Sequence, residues 1–364
     1  MRVYFFVMSL MGLLLLSLNG CDFLGERDRE TTDGNGSLPM AELSLAIAPM
    51  IAWMPWYRAN EEGIFQQYAA KYHIQLKFVP DTYQETIDKF LSKDVHAVAI
   101  SNIDAIAHLI NKDEVETDII LITNKSTGND AVLLPASVNT NVHNFRGKTF
   151  ALVEYSTSHY LLDRYLIRNQ IPFTDVTIKD TATVAIPEIF KSQQAYGVVT
   201  NNPNLYELTN EGTAKIIFNS REVPREIFDF ILIHRETMQD YPNFAQVLLA
   251  SWFSIMEKLQ GSKKGTTLDA LASLKNLSRP QYEEQLATSS LSDTPTKALA
   301  AIRDRRIRKS MRHIRNFIKR HKLSEEENFS FKDWVSYPGR TPAIMHFNAH
   351  PLEKFIAPRK SDTH

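Results

Sequence analysis

Polar and aromatic side chains follow several predicted strands at the points where the strands end. In open α/β sheets, ligands bind at the carboxyl ends of strands, and indoles can hold a cation or a planar group against a ring face. The candidates in the first half of the chain are Trp53, Trp56, Asn102, Asp104, Asn129 and Asp130. The indoles could instead pack against the body of the protein, and Gly128-Asn129-Asp130 could form only a turn.

The strand and helix patterns from residue 148 onward repeat this arrangement. The candidates there are Glu154, Ser158, His159, Asn202 and Asp229. Hydroxyls and backbone N–H groups at a helix start can hold an acceptor, although Ser156 and Thr157 could simply cap the helix. For Asp229, a position in the cleft and a backbone-capping role remain equal alternatives.

The charge of these stretches indicates the kind of ligand. Asp104, Asp130, Glu154 and Asp229 are acceptors when ionised, and the candidate stretches contain no Arg or Lys apart from Arg221 and Arg225. A sulfonate or a nitrate would require Arg or Lys donors. We therefore expect a neutral, donor-rich or cationic solute such as urea, an amide, a guanidinium or a small amine.

Motifs for covalent chemistry are missing from the sequence. There is no Gly-x-Ser-x-Gly and no His-Glu-x-x-His, and Gly147-Lys148-Thr149 lacks the earlier glycine of a phosphate-binding loop. The 11 histidines show no metal-ligand spacing. We predict no catalytic residue, no metal and no cofactor.

Strand and helix patterns alternate from residue 43, which predicts an α/β fold with crossover helices. The alternation of strand and helix patterns starts again near residue 148, and only helical patterns follow after residue 240. We expect lobe 1 over 42–136 and 237–325, lobe 2 over 137–236, and hinges near 135–147 and 234–240. Residues 326–364 form a C-terminal extension with no assigned place.

The N-terminus carries an export signal. Arg2 precedes an apolar run that ends in Leu18-Asn19-Gly20-Cys21, and Cys21 is the only cysteine. This arrangement predicts a signal peptide over 1–20, lipidation of Cys21 and a polar tether over 21–41. An uncleaved signal anchor is the alternative. Asp22 favours retention at the periplasmic face of the inner membrane.

The formal net charge of -1 gives no global field that would recruit nucleic acid. One basic segment, 303–322, has apolar residues at helical spacing, which predicts a buried stripe under a solvated face. A docking surface for an acidic partner is the alternative.

Six stretches resemble the NitT/TauT-type periplasmic substrate-binding proteins, and especially the branch of urea transporters associated with urea carboxylase. They are WMPWYRANEEGIFQQYAAKYHIQLK, SNIDAIA, TGNDAVLL, GKTFALVEYSTSHYLL, VVTNNPNL and REVPREIFD. The resemblance covers about 53–232, and it departs at Asn201, where Trp is expected.

The resemblance implies a type II periplasmic-binding-protein fold, in which two lobes close on one small ligand. It implies a monomer that works with the permease and ATPase subunits of an ABC importer, without catalysis. Two alternatives remain: a sensory lipoprotein with a ligand cleft, and a protein or enzyme related to thiamine-pyrimidine synthesis. The enzyme would need a reactive histidine in the cleft, for which His159 is the candidate.

Overall fold

The structure is a computed structural model that describes residues 40–112, 114–138, 145–324, 330 and 334–357. The predicted signal peptide, Cys21 and almost all of the tether lie outside the described residues. Within the described ranges, no helix combines the length and apolar character that a membrane span requires.

The described residues form thirteen strands and fourteen α-helices. The strands are β1 (Ala41–Ile47), β2 (Ile74–Pro80), β3 (Ala97–Ser101), β4 (Thr117–Ser126), β5 (Asp130–Pro135), β6 (Lys148–Leu152), β7 (Val176–Asp180), β8 (Gly197–Asn201), β9 (Ala214–Asn219), β10 (Phe228–His234), β11 (Ser289–Leu291), β12 (Val335–Ser336) and β13 (Met345–Phe347). The helices are α1 (Met54–Glu61), α2 (Ile64–Ala69), α3 (Tyr83–Leu91), α4 (Asn102–Leu109), α5 (Thr157–Arg168), α6 (Ile186–Lys191), α7 (Asn204–Asn210), α8 (Arg235–Asp240), α9 (Phe244–Gln260), α10 (Lys264–Ser273), α11 (Arg279–Leu286), α12 (Pro295–Ile302), α13 (Ile307–His321) and α14 (His350–Ile356).

The first sheet has the strand order β12-β13-β4-β10-β3-β1-β2, with β11 paired to β4. Strands β1, β2 and β3 run parallel, and β10 lies antiparallel between β3 and β4. Helices cover both faces of such a sheet, which is why the central strands read as nearly continuous apolar runs. Strand β3 is buried along its whole length.

The second sheet has the order β7-β6-β8-β5-β9. Here β5 lies antiparallel between β8 and β9, as β10 does between β3 and β4 in the first sheet. The sheets therefore exchange strands: β5 follows β4 of the first sheet in the chain but joins the second sheet, and β10 follows β9 of the second sheet but joins the first. The predicted α/β class with two sheets is confirmed.

The chain crosses between the sheets at residues 127–129, the first passage, and at 220–227, the second passage. We had placed hinges near 135–147 and 234–240, but β5 belongs to the second sheet and β10 to the first. The sheets therefore exchange strands earlier in the chain than the boundaries at 136/137 and 236/237 assume. The hydrophobic pattern of a segment predicts that it forms a strand, but it does not predict which of the two sheets that strand joins.

The described part of the C-terminal extension completes the first sheet. Strand β13 pairs in parallel with β4, placing Met345 opposite Thr117. Helix α14 packs beside α9, where Gln246 Nε2 donates to the Pro351 carbonyl at 3.0 Å. Arg303 also pairs with Glu353 at 2.6 Å. This segment is part of the first-sheet body.

Helix α13 carries the predicted buried stripe. Ile307, Met311, Ile314 and Ile318 are all buried, while most of its basic residues are exposed. The stripe packs partly against α5, which follows strand β6 of the second sheet.

Candidate ligand-binding site

Asp229 stands at the centre of a polar row across the first sheet. The strand register places it opposite Ser101 of β3 and opposite Asn124 of β4. Its carboxylate accepts hydrogen bonds from Trp53 Nε1 at 3.1 Å and from Asn124 Nδ2 at 2.8 Å. Burial raises the pKa of Asp229 to about 7, and the neighbouring carboxylate of Asp130 adds to the rise.

Asp104 lies in the first turn of α4, which Ser101 caps through a bond to the Asp104 N–H at 3.0 Å. Its Oδ2 accepts from the Ser101 hydroxyl, from Tyr83 Oη at 3.0 Å and from Thr157 Oγ1 at 3.1 Å. Thr157 begins α5 on the second sheet. The Asp104–Thr157 bond therefore joins the two sheets directly, and the Ser101 and Thr157 hydroxyls are also 2.9 Å apart.

Asp130 begins β5 and holds the two passages together. Its Oδ2 accepts from Ser126 Oγ at 2.5 Å, and Ser126 Oγ lies 2.6 Å from Ser220 Oγ in the second passage. The Gly128 N–H donates to the same Ser220 oxygen at 2.7 Å. Gly128 has a φ of +120°, and an added Cβ would meet the Arg221 side chain at 3.0 Å. Burial raises the pKa of Asp130 to about 6.

We call Asp104, Asp130 and Asp229 the cleft cluster. Their donors are hydroxyl, indole and amide groups, and no described Arg or Lys forms an ion pair with any of them. The nearby Lys125 interacts electrostatically with Asp304 instead. Buried carboxylates without a cation are costly to ionise, and the described residues supply no cation that would compensate the charge of this cluster.

Trp53 and Trp56 have different environments. The Trp53 indole reaches Asp229 and lies edge-on to Tyr83 at 5.6 Å. Trp56 lies in the core instead, with its ring centroid 5.0 Å from that of Trp252 and its side chain fully buried. A 3-10 turn (Ile51–Trp53) ends and helix α1 begins between the two tryptophans. Their side chains, although only three residues apart in sequence, therefore enter different environments.

His159 is sealed beneath α13, away from the cleft cluster. Its ring centroid lies 4.3 Å from that of His321 and 5.1 Å from that of Phe317. Burial lowers the pKa of His159 to about 3. Thr157 hydrogen-bonds Asp104. Because two residues along an α-helix correspond to a rotation of about 200°, His159 lies on the opposite side of α5 from Thr157. The enzyme alternative thereby loses its candidate histidine.

Asn102 and Asn202 are structural braces. Asn102 is fully buried, donates to the Glu226 carbonyl at 2.8 Å and accepts from the Phe228 N–H at 3.1 Å, so it fixes the end of the second passage. The side-chain oxygen Oδ1 of Asn202 accepts a hydrogen bond from the Tyr206 N–H at 3.1 Å. Its amide nitrogen donates to Thr288 Oγ1 at 3.0 Å, which ties the second sheet to the segment after α11.

The three remaining candidates make contacts within their own stretches or with the next strand. Glu154 is half-buried after β6, and its N–H donates to Asp180 at 2.9 Å. Ser158 is buried in the first turn of α5, where its N–H donates to Ser156 Oγ. Asn129 is half-buried and its side chain hydrogen-bonds Asp130.

Sequence reasoning missed most of the partners of the cleft cluster. They are Tyr83, Asn124 and Ser126, together with Ser220, which bonds Ser126; Thr157 lies at the helix start for which the sequence left both a ligand-holding and a capping role open. Asn124 could have been found, because it directly follows an apolar run at 119–122 and Thr123, a pattern typical of a strand. Tyr83 could not, because it begins an amphipathic helix of ordinary composition.

No protein-family profile matches the chain, and no curated protein matches it. Solved structures do. The alkanesulfonate-binding protein SsuA of Xanthomonas axonopodis pv. citri, solved with MOPS bound, aligns with a TM-score of 0.64 at 16% identity over 79% of this chain and 95% of that chain. The periplasmic nitrate-binding protein NrtA of Synechocystis PCC 6803 aligns with a TM-score of 0.52 at 12% identity over 66% and 69%.

A Candida albicans protein with the generic periplasmic binding protein structural fold aligns with a TM-score of 0.59 at 11% identity, over 79% of this chain and 92% of that chain. Identities this low speak for the fold and not for the ligand. The two sheets, their exchanged strands and these alignments together establish that this chain has the periplasmic-binding-protein fold.

Proposed function

We propose that this chain is the solute-binding component of an ABC importer, anchored by lipid at Cys21 on the periplasmic side of the inner membrane. It captures a small nitrogen-containing solute, of the urea, amide, guanidinium or amine type, without catalysis. The fold supports the binding role, because proteins that share it bind small molecules between their lobes. The lipid anchor is supported by the Leu18-Asn19-Gly20-Cys21 sequence.

The observation that carries the ligand class is the cleft cluster. Three carboxylates meet at the junction of two sheets, and their described partners are all neutral donors. The alkanesulfonate- and nitrate-binding proteins that share the fold take anions, and an anion placed here would face acidic groups with no basic partner. A cationic or donor-rich solute would instead satisfy the carboxylates.

Capture proceeds by closure of the two lobes. The direct bond between Asp104 and Thr157 supports this proposal, because it joins one lobe to the other at the same cluster. A solute that binds Asp104 and Asp229 on the first-sheet side and then contacts α5 on the second-sheet side has a higher affinity for the closed form, which shifts the population toward it. Docking on the permease follows from the closed state.

The ligand class is tested by calorimetric titration of the mature domain with guanidinium, methylammonium, urea and acetamide, with ethanesulfonate and nitrate as controls. A four-heavy-atom solute gains at most about 6 kcal/mol, at about 1.5 kcal/mol per atom. We therefore expect dissociation constants no tighter than tens of micromolar. Tight binding of ethanesulfonate with none of the nitrogenous solutes would contradict the proposal.

Two aspartate variants make this titration specific. D229N should weaken binding of guanidinium or methylammonium at least tenfold, while D163N, which alters a buried carboxylate paired with Arg320, should leave it unchanged.

Native mass spectrometry of the full-length protein extracted in detergent tests both the bound solute and the lipid anchor. It should show a co-purified small solute and the added mass of acyl chains at Cys21; an unmodified Cys21 would contradict the anchor.

A further inference from the structure

Gln285 in α11 has a buried side chain with unmet hydrogen-bonding capacity. The residue is 1% exposed, and neither its amide nitrogen nor its amide oxygen bonds to any protein atom of the described residues. Burying a donor and an acceptor without partners costs desolvation free energy that nothing returns. A leucine of similar size would avoid this cost, so the amide calls for an explanation.

The neighbours of Gln285 contact segments that lead to the cleft cluster. Tyr282 lies one turn earlier on the same helical face, and its hydroxyl donates to the Ile51 carbonyl at 3.0 Å, in the turn that ends at Trp53. Thr288 follows the helix, and its hydroxyl donates to the Gln285 carbonyl at 2.6 Å. The Gln285 side chain therefore originates beside the segment that positions the Trp53 indole.

Thr288 also touches both parts of the molecule that meet at the cleft. Its carbonyl accepts from the Thr127 N–H at 2.8 Å, in the first passage, and its hydroxyl accepts from Asn202 Nδ2 at 3.0 Å, after the second-sheet strand β8. Gln285 thus lies in the wall where the Trp53 turn, the first passage and the second sheet come together.

Gln246 shows what a structural glutamine looks like in the same chain. It is also buried, at 7% exposure, but its Nε2 donates to the Pro351 carbonyl at 3.0 Å and so secures α14 against α9. This hydrogen bond therefore accounts for Gln246. No such contact accounts for Gln285, whose two polar side-chain atoms have no hydrogen-bond partner among the described residues.

We infer that Gln285 is a specificity-determining residue of the cleft, whose amide pairs with an amide or urea-like group of the solute. This inference rests on the proposed function. The solute then has two ends: a cationic or donor-rich end for the carboxylates of the cleft cluster, and a carbonyl with an adjacent N–H for Gln285. A simple amine or guanidinium would satisfy only the first.

The test compares two cations, guanylurea and methylguanidinium, of which only guanylurea carries a urea-like group. Calorimetric titrations are run on the mature wild-type domain, on Q285L and on the control Q246L. The wild type should bind guanylurea roughly tenfold more tightly, the value of two added hydrogen bonds. In Q285L this preference should shrink to twofold or less, while the ligand-free protein melts no lower than the wild type. Q246L should melt lower and keep the preference.

Each other outcome decides against the inference in a distinguishable way. If Q285L keeps the wild-type preference, or if ligand-free Q285L melts as low as Q246L, then Gln285 has a structural role and the proposed function still stands. If the wild type binds methylguanidinium at least as tightly as guanylurea, the amide recognition fails while cation capture stands. If the wild type binds neither cation but binds urea or acetamide, the inference fails and the proposed ligand class stands; if it binds none of these solutes, both fail.

Discussion

Two groups of buried carboxylates in this molecule differ in their partners. The cleft cluster has Asp104, Asp130 and Asp229 at the junction of the sheets, with hydroxyl, indole and amide donors. The second group, which we call the strap cluster, has Asp163 and Glu226 beneath α13, and each of these is paired with an arginine. Asp229 is half-buried and the other four carboxylates are buried, so burial does not separate the two groups; the presence or absence of an arginine partner does.

The pairing in the strap cluster is close to ideal. Asp163 accepts from Arg320 Nε at 3.0 Å and lies 3.3 Å from His321 Nε2. Glu226 accepts from Arg164 at 2.7 Å and 3.1 Å in a bidentate arrangement. Burial raises the pKa of Asp163, but hydrogen bonds from His321 and Arg320 outweigh it and leave that pKa below its usual value. The pKa of Asp229 moves the other way.

The largest expected effect is a difference in pH dependence. The folded protein holds the Asp229 proton up to a pKa of about 7, whereas the unfolded chain releases it near pH 3.9. Ligand-free stability should therefore fall as pH rises from about 4 to about 7, by up to about 4 kcal/mol from this group. D229N should flatten most of this fall, with Asp130 supplying the remainder, as measured by urea unfolding at pH 4 to 8.

The strap cluster provides the opposite control. Because the pKa of Asp163 is lowered by its partners, its contribution is present above its unfolded pKa and is lost as pH falls through its folded pKa. D163N should therefore reduce stability at neutral pH and weaken the acid-side loss. If D163N and D229N flattened the same limb of the profile, the contrast between the two clusters would be mistaken.

A second expected effect concerns the Arg164–Glu226 ion pair of the strap cluster. R164M keeps most of the stem but leaves the Glu226 carboxylate without its bidentate partner, and breaking a buried pair typically costs about 3 kcal/mol. Urea unfolding at pH 7 should show a loss of that size, and the double variant R164M/E226M should recover part of it. A loss below about 0.5 kcal/mol would mean that α5 does not depend on this pair.

The smallest expected effect concerns the bond between the lobes. T157V removes the hydroxyl that meets Asp104 and Ser101, a change worth about 1 kcal/mol. We expect about fivefold weaker binding of guanidinium and a larger open fraction by small-angle X-ray scattering. T209V serves as the control, because the Thr209 hydroxyl bonds only within α7. Equal effects from both variants would argue against a closure role for Thr157.

Much of the fold was predictable from sequence. Alternating strand and helix patterns gave the α/β class and the restart near residue 148, because both periodicities are local. Which sheet receives β5 or β10 was not predictable, since an apolar strand such as Phe228–His234 fits the centre of either sheet. The pairing of β13 with β4 joins residues more than 220 apart, and no local pattern encodes that.

The site was predictable in its chemistry but less so in its membership. The excess of acceptors over cations in the candidate stretches anticipated the cleft cluster at Asp104, Asp130 and Asp229. Trp56 and His159 have the right residue types, but each lies on the far side of its element. Gln285 was missed because a single glutamine in a helix carries no signal until its burial and its lack of partners are known.

The exchange of strands has a consequence for how the chain is made and delivered. Strand β10 pairs residues 229–233 with residues 97–101, so the centre of the first sheet stays open until about two-thirds of the polypeptide has been synthesised. Its edge waits for Met345. A chain that emerges from the ribosome N-terminus first therefore remains unable to complete that sheet for most of its translation, and the export proposed above would require such an incompletely folded chain.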